Sequence, residues 1–260
     1  MKPKIIFIHG MFLNPKSWEH WIPYFENLGY SCIAPAWPLH EGDPTELRIH
    51  QPAGLGSLTL RDVLSRFREI VSIESEAPIV IGHSMGGLVM QKLAADGLIR
   101  AGVGISSVTP NRMLAADWGF LRNNASIANP FAGDEPYPMT PKGFHQNFAN
   151  TLSESESRAG YSRYAMDESR QVLRDILGED GKIDMDAPHV PLLLIGAEQD
   201  EIIPSSLVRR NAHAYLDERS HSEFAEFTDH GHFICNEPGW EDVAAKISNW
   251  LDAHLNAERA

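Results

Sequence analysis

The chain has 260 residues, 43% of them hydrophobic and 22% charged, with a net charge of −13. That is enough for one sizeable core of ordinary globular composition. The acidic balance leaves no basic face to neutralise phosphates, so no nucleic-acid partner is expected, and it weighs against stable membrane association at an anionic surface.

Residues 4–9 (KIIFIH) are a continuous apolar run, as a strand buried on both faces should be. The run is too short for a signal peptide or a membrane span, so a cytoplasmic, reducing location is expected. Asn14-Pro15 predicts a helix cap, followed at helical spacing by Trp18, Trp21, Ile22, Phe25 and Leu28 up to Gly29. Residues 31–35 form the next strand, with Cys32 as a buried small hydrophobe. The Pro- and Gly-rich residues 37–57 read as a long loop. Thr59 caps a helix with Leu60, Val63, Leu64, Phe67, Ile70 and Val71 on its apolar face. Residues 78–82 are a strand, followed at once by a helix from Met85, and residues 102–108 are a fourth strand. From 110 to 188 strand signals stop and three helical segments appear, around Phe144, Tyr161 and Leu173. Alternation then resumes with a strand at 191–197, a helix at 205–215, a strand at 223–228 and a last helix carrying Val243, Ile247, Trp250, Leu251 and Leu255.

This pattern predicts an α/β fold, a mostly parallel sheet of about six strands with helices on both faces. One domain spans 1–260, with 110–188 as a helical cap inserted over the carboxyl edge of the sheet, where such folds bind ligands. The two cysteines, Cys32 and Cys235, make neither a disulfide framework nor a metal site, and Cys235 reads as a packed thiol.

The sharpest chemical signal is Gly82-His83-Ser84-Met85-Gly86, a G-x-S-x-G. Composition alone produces that pattern often, so its context decides. It lies between a buried strand and a helix, the strand–turn–helix of a nucleophile elbow. Such a turn lifts the serine Oγ clear of the sheet and sets it at a helix N-terminus. A serine hydroxyl needs a base to act as a nucleophile. With 12 histidines in the chain, position must choose it, and His230 and His232 both lie in the loop after the last strand. A carboxylate must then hold the imidazole's tautomer. Asp200 stands on the loop after the fifth strand, with Glu198 and Glu201 as competitors, and the chain order Ser…Asp…His suits the elbow topology. An oxyanion would need two backbone donors, assigned to the N–H of Met85 and to that of Met11 in the loop after the first strand.

Taken together, His9-Gly10, Gly82-His83-Ser84-Met85-Gly86-Gly87, Gly196-x-x-x-Asp200-x-x-x-Pro204 and Gly231-His232-Phe233 resemble the α/β-hydrolase superfamily, over the whole chain except 110–188. In length, and in starting directly on the strand before the oxyanion loop, the chain is similar to the plant methylesterase and hydroxynitrile lyase group and to bacterial esterases near it. The resemblance selects His232, because G-H-F after the last strand is the form that superfamily usually takes. It implies hydrolysis of a carboxylic ester through an acyl-enzyme: Ser84 as nucleophile, His232 as base, Asp200 as the acid that orients it, and no cofactor. Hydroxynitrile lyases carry a lysine where this chain has Phe233. Epoxide hydrolases and haloalkane dehalogenases carry an aspartate in place of Ser84. Both departures point away from those reactions. A lactonase, thioesterase, amidase, carbon–carbon bond hydrolase or perhydrolase would show the same residues, and a slow-turnover small-molecule receptor is the rival from another class.

Phe12, Trp37, Phe144, Phe148, Tyr161, Tyr164 and Phe233 are candidates to line a pocket for a small-molecule ester. The insertion's aromatic and sulfur residues, Trp118, Phe120, Phe131 and Met166 among them, could equally form a small core of its own. No metal site is expected, since His20 and His50 have no ligand partners at useful spacing. A homodimer is left open.

Overall fold

The apolar runs become six strands, all paired in parallel in the order β2-β1-β3-β4-β5-β6. They are β1 Lys4–Ile8, β2 Ser31–Ile33, β3 Ile79–His83, β4 Ala101–Ile105, β5 Leu192–Ala197 and β6 Ser222–Phe227. The structure, a computed structural model, describes residues 2–114 and 126–255. Trp118 and Phe120 lie outside the described residues.

Alternate side chains of β1, β3 and β5 feed two separate cores. Ile5 and Phe7 pack with Trp18, Trp21, Phe25 and the apolar face of the helix Trp240–Leu255. Ile6 and Ile8 pack on the other face with the helices Leu60–Ser72 and Met85–Ala95. Each such fully buried side chain contributes about 1.5–3 kcal/mol, so a one-residue slip of any inner strand would expose nothing apolar yet misplace every contact. The first connection runs outward from β1 to β2. The chain then crosses back over β1 to β3, so a crevice opens between the carboxyl ends of β1 and β3. Ile8 lies in register with Gly82 there.

Three local expectations are corrected. The helix expected over 14–28 is broken into a 3₁₀ turn, Pro15–Trp18, and a helix, Trp21–Asn27. Pro23 is the cause: its ring excludes the carbonyl four residues back, so it is tolerated only in a first helical turn. The loop over 37–57 contains a helix, Pro44–Ile49, whose cap Asp43 accepts from the Thr45 N–H at 2.9 Å. Cys32 sits half-buried on the edge strand β2 rather than in the core, and burial still pushes its thiol up to about 12.

Between β4 and β5 the insertion holds a π turn, Phe144–Phe148, and the helices Glu154–Tyr164 and Arg170–Asp175. It also holds an isolated antiparallel bridge between Tyr137 and Glu168 that the strand signals did not announce. Among the described residues, no helix is long and apolar enough to cross a membrane.

Candidate active site

β3 ends at His83, Ser84 turns, and a helix starts at Met85. Ser84 has φ 54° and ψ −118°, a conformation costing about 1–3 kcal/mol that persists only where the surroundings impose it. Here the Ser84 N–H donates to the Ile105 carbonyl at 2.9 Å, and its own carbonyl accepts from the Gly87 and Val108 N–H groups, each at 3.0 Å. The glycines have steric causes. A Cβ on Gly82 would run into the Gly86 carbonyl, and one on Gly86 would run into the carbonyls of Ile8 and His9. The spacing of G-x-S-x-G is thus the spacing at which strand and helix can touch.

The structure brings Ser84, His232 and Asp200 together. His232 Nε2 lies 3.0 Å from Ser84 Oγ. Its Nδ1 lies 2.7 Å from Asp200 Oδ2. Asp200 Oδ1 accepts from the N–H groups of Ile202 and Ile203, each at 2.8 Å. A carboxylate only accepts, so Nδ1 carries the proton and Nε2 is left to accept from the serine hydroxyl. The side chains of His232 and Asp200 are fully buried. The competitors lie elsewhere: His230 Nδ1 faces the Thr228 carbonyl at 3.0 Å, and Glu198 and Glu201 are exposed.

Two further residues brace the histidine loop, and sequence reasoning missed both. His83 Nε2–H donates to the His232 carbonyl at 2.9 Å, tying the elbow to the loop. Burial lowers the His83 pKa to about 3, so the ring is neutral. Glu237, also buried, accepts from the Gly231 N–H at 2.9 Å and from the Thr151 hydroxyl of the insertion; burial pushes its carboxyl up. The only signal for His83 was its place inside a glycine-tight turn. Glu237 carried none, because neither a turn six residues back nor a hydroxyl 86 residues away leaves a pattern in its own segment.

A cavity of about 30 Å³ opens beside Ser84 Oγ, between Met11, Phe12, Met85, Val108, Ile127, Phe148, Leu173, Ile202, Ile203 and His232. The wall is apolar except for the serine and the imidazole. Met85 is the first residue of its helix, so its N–H has no partner inside the helix. A second cavity of about 60 Å³ shares Ile127, Phe148 and Ile202 with the first and adds Tyr137, Asn147 and Glu201.

Of the aromatic candidates, Phe12 and Phe148 line the first cavity. The rest do not and are corrected. Trp37 is fully buried against His9, with ring centroids 4.8 Å apart. Phe144 and Phe233 pack edge to face at 5.1 Å. The Tyr161 hydroxyl donates to the Met139 carbonyl at 3.0 Å, and that of Tyr164 donates to Glu19 at 2.6 Å. Phe144 and Tyr164 join insertion to core, while Trp37 and Tyr161 pack within core and insertion respectively; an apolar face cannot distinguish either from a pocket wall.

Among the described residues, metal-ligating side chains gather at His221, Glu223 and His254. That group is at the amino end of β6, the edge opposite Ser84, and Lys246 Nζ sits 2.8 Å from Glu223.

Sequence comparison matches residues 5–246 to the alpha/beta hydrolase family, and the chain belongs to that family. No curated protein sequence matches it. Solved structures similar to it include a monoacylglycerol lipase of Paleococcus ferrophilus, 19% identical over 96% of this chain and 94% of that one, with a TM-score of 0.69. A methylesterase from Arabidopsis is 12% identical over 96% and 99%, with a TM-score of 0.70. Tomato methylketone synthase I is 14% identical over 98% and 99%, with a TM-score of 0.70. At such identities the likeness concerns the fold.

Proposed function

We propose that this protein is a serine hydrolase that cleaves a carboxylic ester through an acyl-enzyme, with residues 110–188 as its cap. The observation that carries the reading is the unbroken hydrogen-bond relay from Ser84 Oγ through His232 to Asp200, 3.0 and 2.7 Å long, at the mouth of an apolar cavity. The lipase and methylesterase named above are consistent with ester chemistry on this fold.

In the reaction, His232 Nε2 takes the Ser84 proton as Oγ attacks the ester carbonyl. The resulting imidazolium is stabilised by the Asp200 carboxylate, which stays ionised and keeps Nδ1–H pointed at itself. The tetrahedral oxyanion is held by the N–H groups of Met85 and Met11, each worth about 10²–10³-fold in rate. His232 then protonates the leaving alcohol, and the same ring activates water to release the acid.

The test is Ser84→Ala assayed on a series of p-nitrophenyl esters of increasing chain length. Its kcat should fall about 10⁴–10⁶-fold, and the wild type should turn over at least one of the esters repeatedly. A folded Ser84→Ala variant with near-normal activity would refute the mechanism. A wild type whose serine is labelled by a fluorophosphonate but which never exceeds one turnover would favour a receptor instead.

A further inference from the structure

A second buried imidazole–carboxylate pair lies behind the cavity and takes no part in the relay. His40 Nε2 is 3.0 Å from Glu168 Oε2, and both side chains are fully buried. His40 Nδ1 faces the Pro38 carbonyl at 2.9 Å. Both ring nitrogens therefore point at acceptors, and the ring holds two protons as an imidazolium. Glu168 comes from the insertion, His40 from the loop after β2.

The same Glu168 Oε2 accepts from the backbone N–H of Phe12 at 3.2 Å. One residue from Glu168 sits Asp167, and one before that the Met166 N–H, which donates to the Phe12 carbonyl at 2.9 Å. The segment 166–168 thus takes both backbone polar groups of Phe12. Phe12 needs such a grip, because its φ is 65°, a left-handed conformation that a bulky side chain adopts only under constraint. The preceding peptide is held as well. His9 Nδ1–H donates to the Gly10 carbonyl at 2.9 Å, and its Nε2 accepts from the Trp37 N–H at 3.2 Å. The Gly10 carbonyl belongs to the same peptide plane as the Met11 N–H, and the Phe12 N–H to the plane on the other side. Met11 is pinned from both directions.

We propose that Glu168, with its charge balanced by His40, is a positioning residue that aims the Met11 N–H at the oxyanion from the insertion side. The proposal rests on the reading of Ser84 as the nucleophile. The charge balance has its own purpose. An uncompensated carboxylate so close to the oxyanion donor would oppose the negative charge that develops there, and His40 removes that opposition. The Glu168 backbone is fixed in turn by its ladder with Tyr137, at 2.7 and 3.1 Å, and its Oε1 by the Ser169 N–H at 2.7 Å.

The experiment measures two things on wild type, Glu168→Ala and Glu168→Gln: the rate constant for phosphonylation of Ser84 by a small fluorophosphonate, and kcat and KM on p-nitrophenyl acetate. Phosphonylation needs the nucleophile and the oxyanion donors but no cognate substrate. Glu168→Ala removes the acceptor for the Phe12 N–H and should lower both the labelling rate and kcat about 10²-fold, with KM within about threefold of wild type. Glu168→Gln can still offer an oxygen to Phe12 and His40, at the cost of a donor set against the Ser169 N–H. It should recover most of the loss and remain about 10-fold below wild type. Labelling and kcat at wild-type levels in a folded Glu168→Ala overturn the inference, as does a loss confined to KM. If Glu168→Ala does not fold, Glu168→Gln decides, and an unchanged labelling rate overturns it. Wild-type protein that is not labelled at Ser84 overturns the reading of the nucleophile as well. Labelling that depends on Ser84 but not on Glu168 overturns this inference alone.

Discussion

Two histidines are buried against carboxylates at the same edge of this sheet, and their second nitrogens meet different partners. His232 meets Asp200 at 2.7 Å through Nδ1, and its other nitrogen meets a hydroxyl that opens on a cavity. His40 meets Glu168 at 3.0 Å through Nε2, and its other nitrogen meets the Pro38 backbone carbonyl at 2.9 Å. The first ring has a nitrogen that can take up and release a proton during a reaction. The second is closed by acceptors on both sides: burial disfavours its charge, but the Glu168 carboxylate outweighs burial and raises the His40 pKa, which keeps its proton in place. A histidine–carboxylate pair is therefore not a catalytic signature by itself. On the proposed reading, the third partner determines whether such a pair moves protons or holds a loop.

Breaking each pair should separate the two roles. The largest effect is expected for Asp200→Asn, which keeps the shape but offers Nδ1 a donor and so favours the wrong tautomer. Steady-state kcat should fall about 10⁴-fold while the melting temperature changes little. A variant with kcat within tenfold of wild type would remove Asp200 from the relay.

His40→Ala should show the reverse weighting. It strips one partner from a fully buried pair and leaves a carboxylate uncompensated, which costs about 3–5 kcal/mol of stability in denaturant titration. The rate loss should stay at or below about 10²-fold, because Glu168 still reaches Phe12. A kcat loss as deep as that of Asp200→Asn, with stability intact, would erase the distinction.

The smallest effect concerns His83, whose pKa is lowered by burial, and further by His232, to about 3. Below about pH 6.5 the unfolded chain binds a proton at this residue that the folded chain refuses until about pH 3. Stability should thus be complete above that window and decline as pH falls through it, by roughly 1 kcal/mol per pH unit. His83→Gln should flatten this slope between pH 6 and 4, whatever its stability at pH 7. An unchanged slope would mean that His83 does not stay neutral in the folded protein.

Much of this was legible in the sequence. The apolar runs at β1, β3 and β5 read as strands because burial on both faces explains three or four consecutive large apolar residues with no polar alternation. The Thr59 cap and its helix read correctly because the capping box with Asp62 is local. The break at Pro23 was misread although its cause is local too, since the apolar spacing continues through it. The pocket lining was misread for a different reason: Trp37, Tyr161 and Tyr164 have the composition of a pocket wall and the partners of a core.

By itself, the order of residues determined the parallel sheet, the elbow at Ser84 and which loops could carry a histidine and a carboxylate to meet it. These follow from periodicity and from steric limits at glycines, and both act between neighbours in the chain. Only the tertiary structure decided that His83, Glu237, His40 and Glu168 brace the loops around the serine. Each of them works through a partner 6 to 156 residues away. A hydrogen bond between distant segments leaves no periodic trace in either one, so it becomes visible when the fold has brought both ends together.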